Sequence, residues 1–260
     1  MLCAGGKAGR GTTLPNEWGI TDLETGRHRQ LGEPNTMIVL SENWSSIYPN
    51  AALGILAMRN VSNPQSHEAL AQHKKTLERE LHTRYAGYDR ERLKTHPVLA
   101  SYHAYYKLFK KTYHVQLKLE SIVFKGKALP QAAALVEAMF MAELKNLMLT
   151  AGHDLDGVQL PVTIGVAEGH ERYVRLNGQE QELKAKDMMI SDTQGILSSI
   201  IYGPDQRTKI KPSTTNVLFT VYGTPGIDPS DLKAHLETIR ENVIVVSLEA
   251  EVDLLEVYRA

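Results

Sequence analysis

The chain has 260 residues, 42% of them hydrophobic, which is enough for one large domain or two small ones with a buried core. Its 29 Lys and Arg residues nearly balance its 30 Asp and Glu residues, which excludes a basic coat over the whole surface but not a local basic patch. A single cysteine, Cys3, excludes an intrachain disulfide, and no apolar run reaches the roughly 18 residues of a membrane span. With no signal-peptide pattern at the start, we expect a cytoplasmic protein that does not enter a membrane.

Residues 1–36 differ in composition from the rest of the chain. They are rich in Gly, Thr, Arg and Asn and show neither helical nor strand periodicity. This predicts an extension that is disordered or non-native, followed by one domain over residues 37–260.

Helical patterns dominate the first half of that domain, after one apolar run from Ala51 to Val61 that is typical of a strand buried on both faces. Helices are predicted from Ser66 to about Tyr85 and from about Pro97 to Lys111. Pro130 is expected to begin a third, which is apolar nearly all round and stops at Ala151-Gly152. A short acidic turn, 153–157, should follow.

Short apolar runs separated by turn residues predict strands in the second half. Val162–Val166 and Tyr173–Leu176 are expected to pair as a hairpin, and Asn177-Gly178 gives a second tight turn. Further elements are predicted in the order strand 188–190, strand 196–202, strand 216–222, helix 228–240 and edge strand 243–257. The whole order predicts an α+β fold with a mixed β-sheet core and helices mainly in the N-terminal half.

The clearest concentration of basic charge lies between residues 107 and 127, where six lysines accompany a single acid, Glu120. Such a patch can neutralise several phosphates with salt-dependent affinity, but lysine runs are equally often a solvated helix face. The six are Lys107, Lys110, Lys111, Lys118, Lys125 and Lys127.

Two acids, Glu137 and Glu143, stand on the apolar third helix. A carboxylate in apolar surroundings must be paired or face a cavity that needs it. Glu137 lies between Val136 and Ala138 and is the stronger candidate for a cavity, with a lysine partner as the alternative.

Strong catalytic motifs are missing from the sequence, including the phosphate-binding GxxxxGK[ST], HExxH, GxSxG and CxxC patterns. His153, Asp154 and Asp156 fit no common metal-ligand spacing. We therefore expect neither a metal nor another cofactor.

Several segments, taken in order, resemble a known family. They are AALGILAMRNVSN (51–63), the helix 105–113 leading into HVQ (114–116), FKGKALP (124–130), TAGHDLDGV (150–158), YVRLNGQEQEL (173–183) and DQRTKIKPSTTNVLFTVYG (205–223). Over about residues 37–257 the chain resembles the stand-alone B3/B4-domain proteins, which are similar to the tRNA-editing module in the β-subunit of bacterial phenylalanyl-tRNA synthetase.

The resemblance implies hydrolysis, acting in trans, of the ester that joins a wrong amino acid to the 3′ end of a tRNA, with water as co-substrate. The pocket histidine of the synthetase module aligns near Ala151, and its helix asparagine falls near Phe140. The glutamate that reads the tyrosine hydroxyl falls at Thr193 or Gln194. These departures argue against tyrosine. Pocket acids such as Glu137, Asp192 and Asp205 could pair bidentately with a guanidinium-like group, which keeps an arginine analogue such as canavanine as a candidate side chain.

An aminoacyl ester is labile, so holding the terminal adenosine and placing a water can suffice, with backbone N–H groups at the Gly152 or Asn177-Gly178 turns facing the oxyanion. The residues assigned to catalysis are Glu137, His153 and Asp205. The residues assigned to substrate binding are His114, Gln116, Asn177, Gly178, Asp192, Arg207 and Thr208. The six lysines are assigned to tRNA.

Other interpretations stay open from the sequence. His114 and Gln116 fit an ordinary strand surface equally well, and Asp205–Lys209 fits a solvated charged turn. A non-catalytic module that binds tRNA or an amino acid, or a deacylase of tyrosyl-tRNA(Phe), would have the same pattern. A monomer is slightly favoured over an oligomer.

Overall fold

The computed structural model describes residues 37–260, so the predicted N-terminal extension lies outside the described residues. Seven helices lie in this range: α1 (Glu42–Ile47), α2 (Glu68–Arg84), α3 (Arg90–Lys94), α4 (Pro97–Leu108), α5 (His114–Val123), α6 (Ala134–Asn146) and α7 (Pro229–Val246). None of these helices is long and apolar enough to cross a membrane.

Eleven strands lie in the same range: β1 (Ile38–Leu40), β2 (Ala52–Arg59), β3 (Thr150–Asp154), β4 (Val162–Val166), β5 (Arg172–Val174), β6 (Glu180–Glu182), β7 (Met188–Asp192), β8 (Gly195–Ser199), β9 (Gly203–Pro204), β10 (Val217–Gly223) and β11 (Glu251–Arg259). They confirm the predicted α+β class, with six of the seven helices before residue 147.

The strands form two main sheets and a small hairpin. One sheet is antiparallel with the order β11-β2-β10-β3. The other is mixed, with the order β1-β4-β7-β8-β9 and β1 parallel to β4. β2 is central in its sheet and buried along all but its last residue, as its apolar sequence predicts, and β11 is an edge strand, as its alternating acids predict.

Helix α7 packs on the antiparallel sheet through close contacts at two glycines. A Cβ at Gly54 would lie 3.2 Å from Leu236 Cδ1, and one at Gly223 would lie 2.9 Å from Leu232 Cδ2. Asp228 begins the helix, because its carboxylate accepts a hydrogen bond of 2.8 Å from the Ser230 amide. Since the helix passes the predicted end at Arg240 and continues to Val246, the last strand begins at Glu251 and not at Val243.

The third predicted helix, α6, begins later and ends earlier than expected. Pro130 lies in the irregular segment before it, and Leu147, with a φ of 63°, ends it. Residues 150–154, expected to be the helix end and a polar turn, form the buried strand β3 beside β10. The prediction was wrong because tertiary pairing outweighed local pattern: partners elsewhere in the chain make His153 and Asp154 compatible with a buried strand.

The expected hairpin between Val162–Val166 and Tyr173–Leu176 is not formed. β4 pairs with β1 and β7, whereas β5 pairs with β6. The carboxylate of Glu171 accepts hydrogen bonds from the amides of Glu168, Gly169 and His170, which closes the intervening segment on itself. The Asn177-Gly178 turn between β5 and β6 is confirmed, with Gly178 at a φ of 80°.

Candidate active site

A cavity of about 330 Å³ lies where α5 and α6 meet the ends of both main sheets. We call it the α5–α6 cavity. Its walls are mostly apolar, with three hydroxyl groups, two lysines, one imidazole and one carboxylate among them. The lining residues are His114, Lys118, Val136, Met139, Phe140, Glu143, Leu149, Thr150, Ala151, Gly152, Leu176, Ser199, Gly203, Pro204, Lys209, Ile210 and Tyr222.

One acid and one lysine form the charged centre of the cavity. Glu143 is 1% exposed, and its carboxylate accepts hydrogen bonds from Lys118 Nζ at 3.3 Å and from the Thr150 amide at 3.0 Å. Burial raises the pKa of Glu143, and the lysine and the amide oppose that rise. The Lys118 ammonium also lies 4.1 Å from the centre of the Phe140 ring. The Lys118 side chain is 30% exposed, so the lysine of this pair reaches solvent while the glutamate stays buried in the cavity wall.

His114 stands at the first position of α5 and supplies the imidazole. Its Nδ1 is 3.3 Å from the Tyr106 hydroxyl, which also donates to the carbonyl of Ile200. Burial lowers the pKa of His114 to about 4, with a smaller contribution from Lys118. The imidazole is therefore neutral near pH 7 and can accept a proton.

The three hydroxyl groups of the lining are already bonded to protein groups. Tyr222 and Ser198 share a hydrogen bond of 2.7 Å, and Ser199 Oγ accepts from the amide of residue 202. Thr150 Oγ1 lies 2.7 Å from His235 Nε2, and the side-chain nitrogen Nδ2 of Asn146 donates to His235 Nδ1 at 3.2 Å. With Nδ1 accepting, Nε2 carries the proton, so His235 donates to Thr150 and cannot remove its proton.

A second polar cluster links the loop before β10 to β3. Thr208 donates a hydrogen bond from its hydroxyl to Asp205 and accepts one from His153 Nδ1 at 2.8 Å. All three residues are buried, and burial lowers the pKa of His153 to about 3. None of them lines the α5–α6 cavity. The geometry is that of a structural network closing a loop onto a strand.

Arg207 extends this cluster to the β7–β8 turn. Its guanidinium contacts Asp192 at 2.9 Å and Asp205 at 3.6 Å, and it donates to the Gly157 carbonyl at 2.8 Å. Asp192 also accepts from the amide of Gln159 at 2.8 Å. Arg207 therefore ties three loops together, and its cation is committed to these two acids.

The sequence profile of the B3/4 domain family matches residues 102–242. Every residue that lines the cavity lies within that segment. The chain belongs to the B3/4 domain family. Over 69 residues it is 29% identical to the phenylalanine–tRNA ligase beta subunit of Mycoplasma genitalium. That match covers 26% of this chain and 9% of the ligase subunit, so the chain corresponds to a small part of that protein.

Among solved structures, this B3/4-domain protein is similar to an N-terminal fragment of the phenylalanyl-tRNA synthetase beta-subunit from Pyrococcus horikoshii. The TM-score is 0.44 at 12% sequence identity, with 90% of this chain and 57% of the fragment covered.

Of the residues assigned to catalysis, substrate binding or tRNA, two line the cavity of this B3/4-domain protein: His114 and Lys118. Gly152, whose backbone N–H was expected near the oxyanion, lines it as well. Glu137 points to α2 and forms an ion pair with Lys74, which is the alternative that the sequence left open. Gln116 is buried within α5, where its amide donates to Glu120 at 2.6 Å, and the helix replaces the expected strand surface. Asn177 and Gly178 stand at the exposed tip of the β5–β6 turn, outside the lining.

The six lysines do not form one patch. Lys107, Lys110 and Lys111 are exposed at the corner between α4 and α5. Lys118 turns inward to Glu143. Lys125 and Lys127 are exposed in the loop after α5.

Glu143, and not Glu137, is the helix acid that lines the cavity. The helical spacing could have indicated this, because Val136, Phe140 and Glu143 follow one another at intervals of four and three residues and therefore lie on the same face of the helix. Glu137 is one residue beyond Val136, about 100° further round the helix. Ala151 and Phe140, near which the resemblance places the family's histidine and asparagine, both line the cavity.

Proposed function

We propose that this B3/4-domain protein binds the aminoacyl end of a mischarged tRNA in the α5–α6 cavity and hydrolyses its ester. The observation that carries the proposal is the buried Glu143 and its partner Lys118 in the wall of an otherwise apolar cavity. Ligand pockets typically have this composition, with a few polar groups that fix orientation on apolar walls. The similarity to a phenylalanine–tRNA ligase subunit supports tRNA as the class of substrate.

The reaction needs a water, a base and a group that stabilises negative charge. Water attacks the ester carbonyl carbon, the bond from that carbon to the 3′ ribose oxygen breaks, and the ribose oxygen takes a proton. His114, neutral near pH 7, can accept a hydrogen bond from the attacking water and serve as its base, and its lowered pKa makes it a weak one. The partly exposed Lys118 ammonium can stabilise the developing oxyanion.

Water is the proposed nucleophile because, within residues 37–260, the hydroxyl groups of the cavity lack a base that would activate them. Since His235 donates to Thr150, the threonine lacks a base, and the hydroxyls of Ser199 and Tyr222 have no imidazole partner among the described contacts. A labile ester can be cleaved by orientation and electrostatics without a covalent intermediate.

Glu143 also supports a proposal for the amino acid side chain. A guanidinium or a guanidinium-like group entering the cavity could take the place of Lys118 and pair with this carboxylate through two parallel hydrogen bonds. An arginine analogue such as canavanine fits this arrangement. Tyrosine fits it less well, because Ala151 and Phe140 stand where the synthetase module has polar residues.

A non-catalytic module that binds tRNA or an amino acid is the second candidate, favoured by the committed state of the cavity hydroxyls. Hydrolysis separates the two functions. We expect the purified protein to release the amino acid from at least one tRNA in a panel charged with tyrosine, arginine or an arginine analogue, faster than buffer does. Binding of these tRNAs without any acceleration would favour the non-catalytic module.

A further inference from the structure

A second concave surface lies on α2, next to the loop that follows α5. We call it the α2 groove. It is open to solvent, encloses about 580 Å³ and is lined by Gln72, Lys75, Glu78, Arg79, His82, Gly126, Lys127 and Ala128.

Basic side chains dominate this groove. Lys75, Arg79 and His82 follow one another at four and three residues, so they form one exposed stripe on α2, about 10 Å long at the rise of an α-helix. Lys127 adds a cation from the loop after α5. Within residues 37–260, none of Lys75, Arg79 and Lys127 forms an ion pair with an acid.

The single acid of the groove has a structural partner. Glu78 accepts a hydrogen bond of 2.6 Å from the amide of Leu129, a buried residue, and this bond fixes the loop to α2. The amides of Gly126 and Lys127 in turn donate to the carbonyls of Ile122 and Ser121 on α5. The groove is therefore held in shape by the Glu78 carboxylate and by backbone hydrogen bonds. Its cations are exposed, and the Arg79 guanidinium also donates to Thr76 Oγ1 at 3.0 Å on its own helix.

Helix α5 connects the α2 groove to the α5–α6 cavity. Lys118 lines the cavity, and the remaining five residues of α5 lead directly to the groove loop. At 1.5 Å per residue this part of the helix is only about 8 Å long. A polyanion whose end occupies the cavity can therefore reach the groove within a few nucleotides.

From this geometry we infer that the α2 groove binds the sugar–phosphate backbone of RNA, in the part of the tRNA next to its 3′ end. Charge complementarity favours a polyanion, because Lys75, Arg79 and Lys127 form no ion pair among residues 37–260 and a row of cations suits a row of phosphates. This inference rests on the proposed function for the choice of tRNA, but it concerns binding and needs no hydrolysis.

The test is the salt dependence of binding to uncharged tRNA, compared between the wild type and the variant Lys75→Ala/Arg79→Ala/Lys127→Ala. Each lost contact to a single-stranded phosphate lowers the slope of log affinity against log salt by about 0.7, so three lower it by about 2. From about 50 mM to about 200 mM salt, wild-type affinity should therefore fall about 20-fold more than that of the variant. A shift of this size supports the groove.

The matched control removes three exposed cations elsewhere, in the variant Lys184→Ala/Lys233→Ala/Arg259→Ala. It changes net charge by the same amount but leaves the groove intact, and thermal denaturation verifies that both variants are folded. An unchanged slope in the groove variant, an equal change in the control, or no binding of tRNA by the wild type would overturn the inference.

Hydrolysis distinguishes this inference from the proposed function. Groove-dependent tRNA binding without release of any amino acid would support the groove and reject the hydrolase. Hydrolysis, together with a salt slope of tRNA binding that is the same for the wild type and the groove variant, would support the hydrolase and reject the groove.

Discussion

The pair of Lys118 and Glu143 allows function and stability to be separated in one set of variants. Replacing Lys118 with methionine keeps the apolar stem of the side chain but leaves the buried carboxylate of Glu143 with the Thr150 amide alone. Removing one partner of a fully buried ion pair costs about 3–5 kcal/mol. Lys118 is 30% exposed and the freed carboxylate can take a proton, so we expect about 2 kcal/mol, near the value of one charge-assisted hydrogen bond.

The double variant Lys118→Met/Glu143→Gln should recover most of that loss, because a neutral amide no longer needs a cation. The expected result in thermal denaturation is a melting temperature about 4–8 °C below wild type for Lys118→Met, and a value within about 3 °C of wild type for the double variant. This non-additivity is the signature of a direct pair. Additive effects of the two single substitutions would refute the reasoning about the pair.

Deacylation of mischarged tRNA is measured on the same proteins. If the pair contacts the substrate, Glu143→Gln and the double variant should both lose most of the activity, even though the double variant is nearly as stable as wild type. Recovery of activity together with stability would mean that the pair only supports the fold.

Three further predictions concern one residue of the cavity wall, Gly152, and two buried acids outside it, Asp187 and Glu137. Gly152→Ala adds a Cβ that would lie 2.9 Å from the end of the Ile210 side chain, so it should raise KM several-fold in deacylation assays; an unchanged KM would remove Gly152 from the substrate site. Burial raises the pKa of Asp187 from 3.8 to about 7. Between pH 3.8 and about pH 7 the carboxyl group is therefore ionised in the unfolded protein but protonated in the folded protein. Stability should therefore fall as the pH rises through this window, and chemical denaturation of Asp187→Asn should show a weaker fall; an equal fall would contradict the assignment. Glu137→Gln should lower the melting temperature by weakening the contact to Lys74 while kcat stays near wild type, and a selective loss of kcat would return Glu137 to the site.

Local patterns in the sequence predicted the elements whose burial is periodic. The strand around Leu53, the helices α2 and α4, and the Asn177-Gly178 turn appear where the sequence places them. Each of them is determined by neighbours in the chain: an apolar run, a helical stripe or a turn dipeptide.

Long-range contacts explain what the sequence did not predict. β3 contains His153 and Asp154, which look like turn residues until Thr208 and Lys211 are brought beside them. The resemblance to the B3/B4 proteins placed Ala151 and Phe140 in a pocket, and both line the cavity. It did not single out Glu143, because the importance of that residue depends on how α5 lies against α6.

The most direct test of the account is single-turnover deacylation by the wild type and by the double variant Lys118→Met/Glu143→Gln, on tRNAs charged with tyrosine, arginine and an arginine analogue. The account predicts that the wild type accelerates ester loss from at least one of these tRNAs, most strongly for the arginine analogue, and that the folded double variant does not. No acceleration by the wild type, or equal acceleration by both proteins, would contradict it.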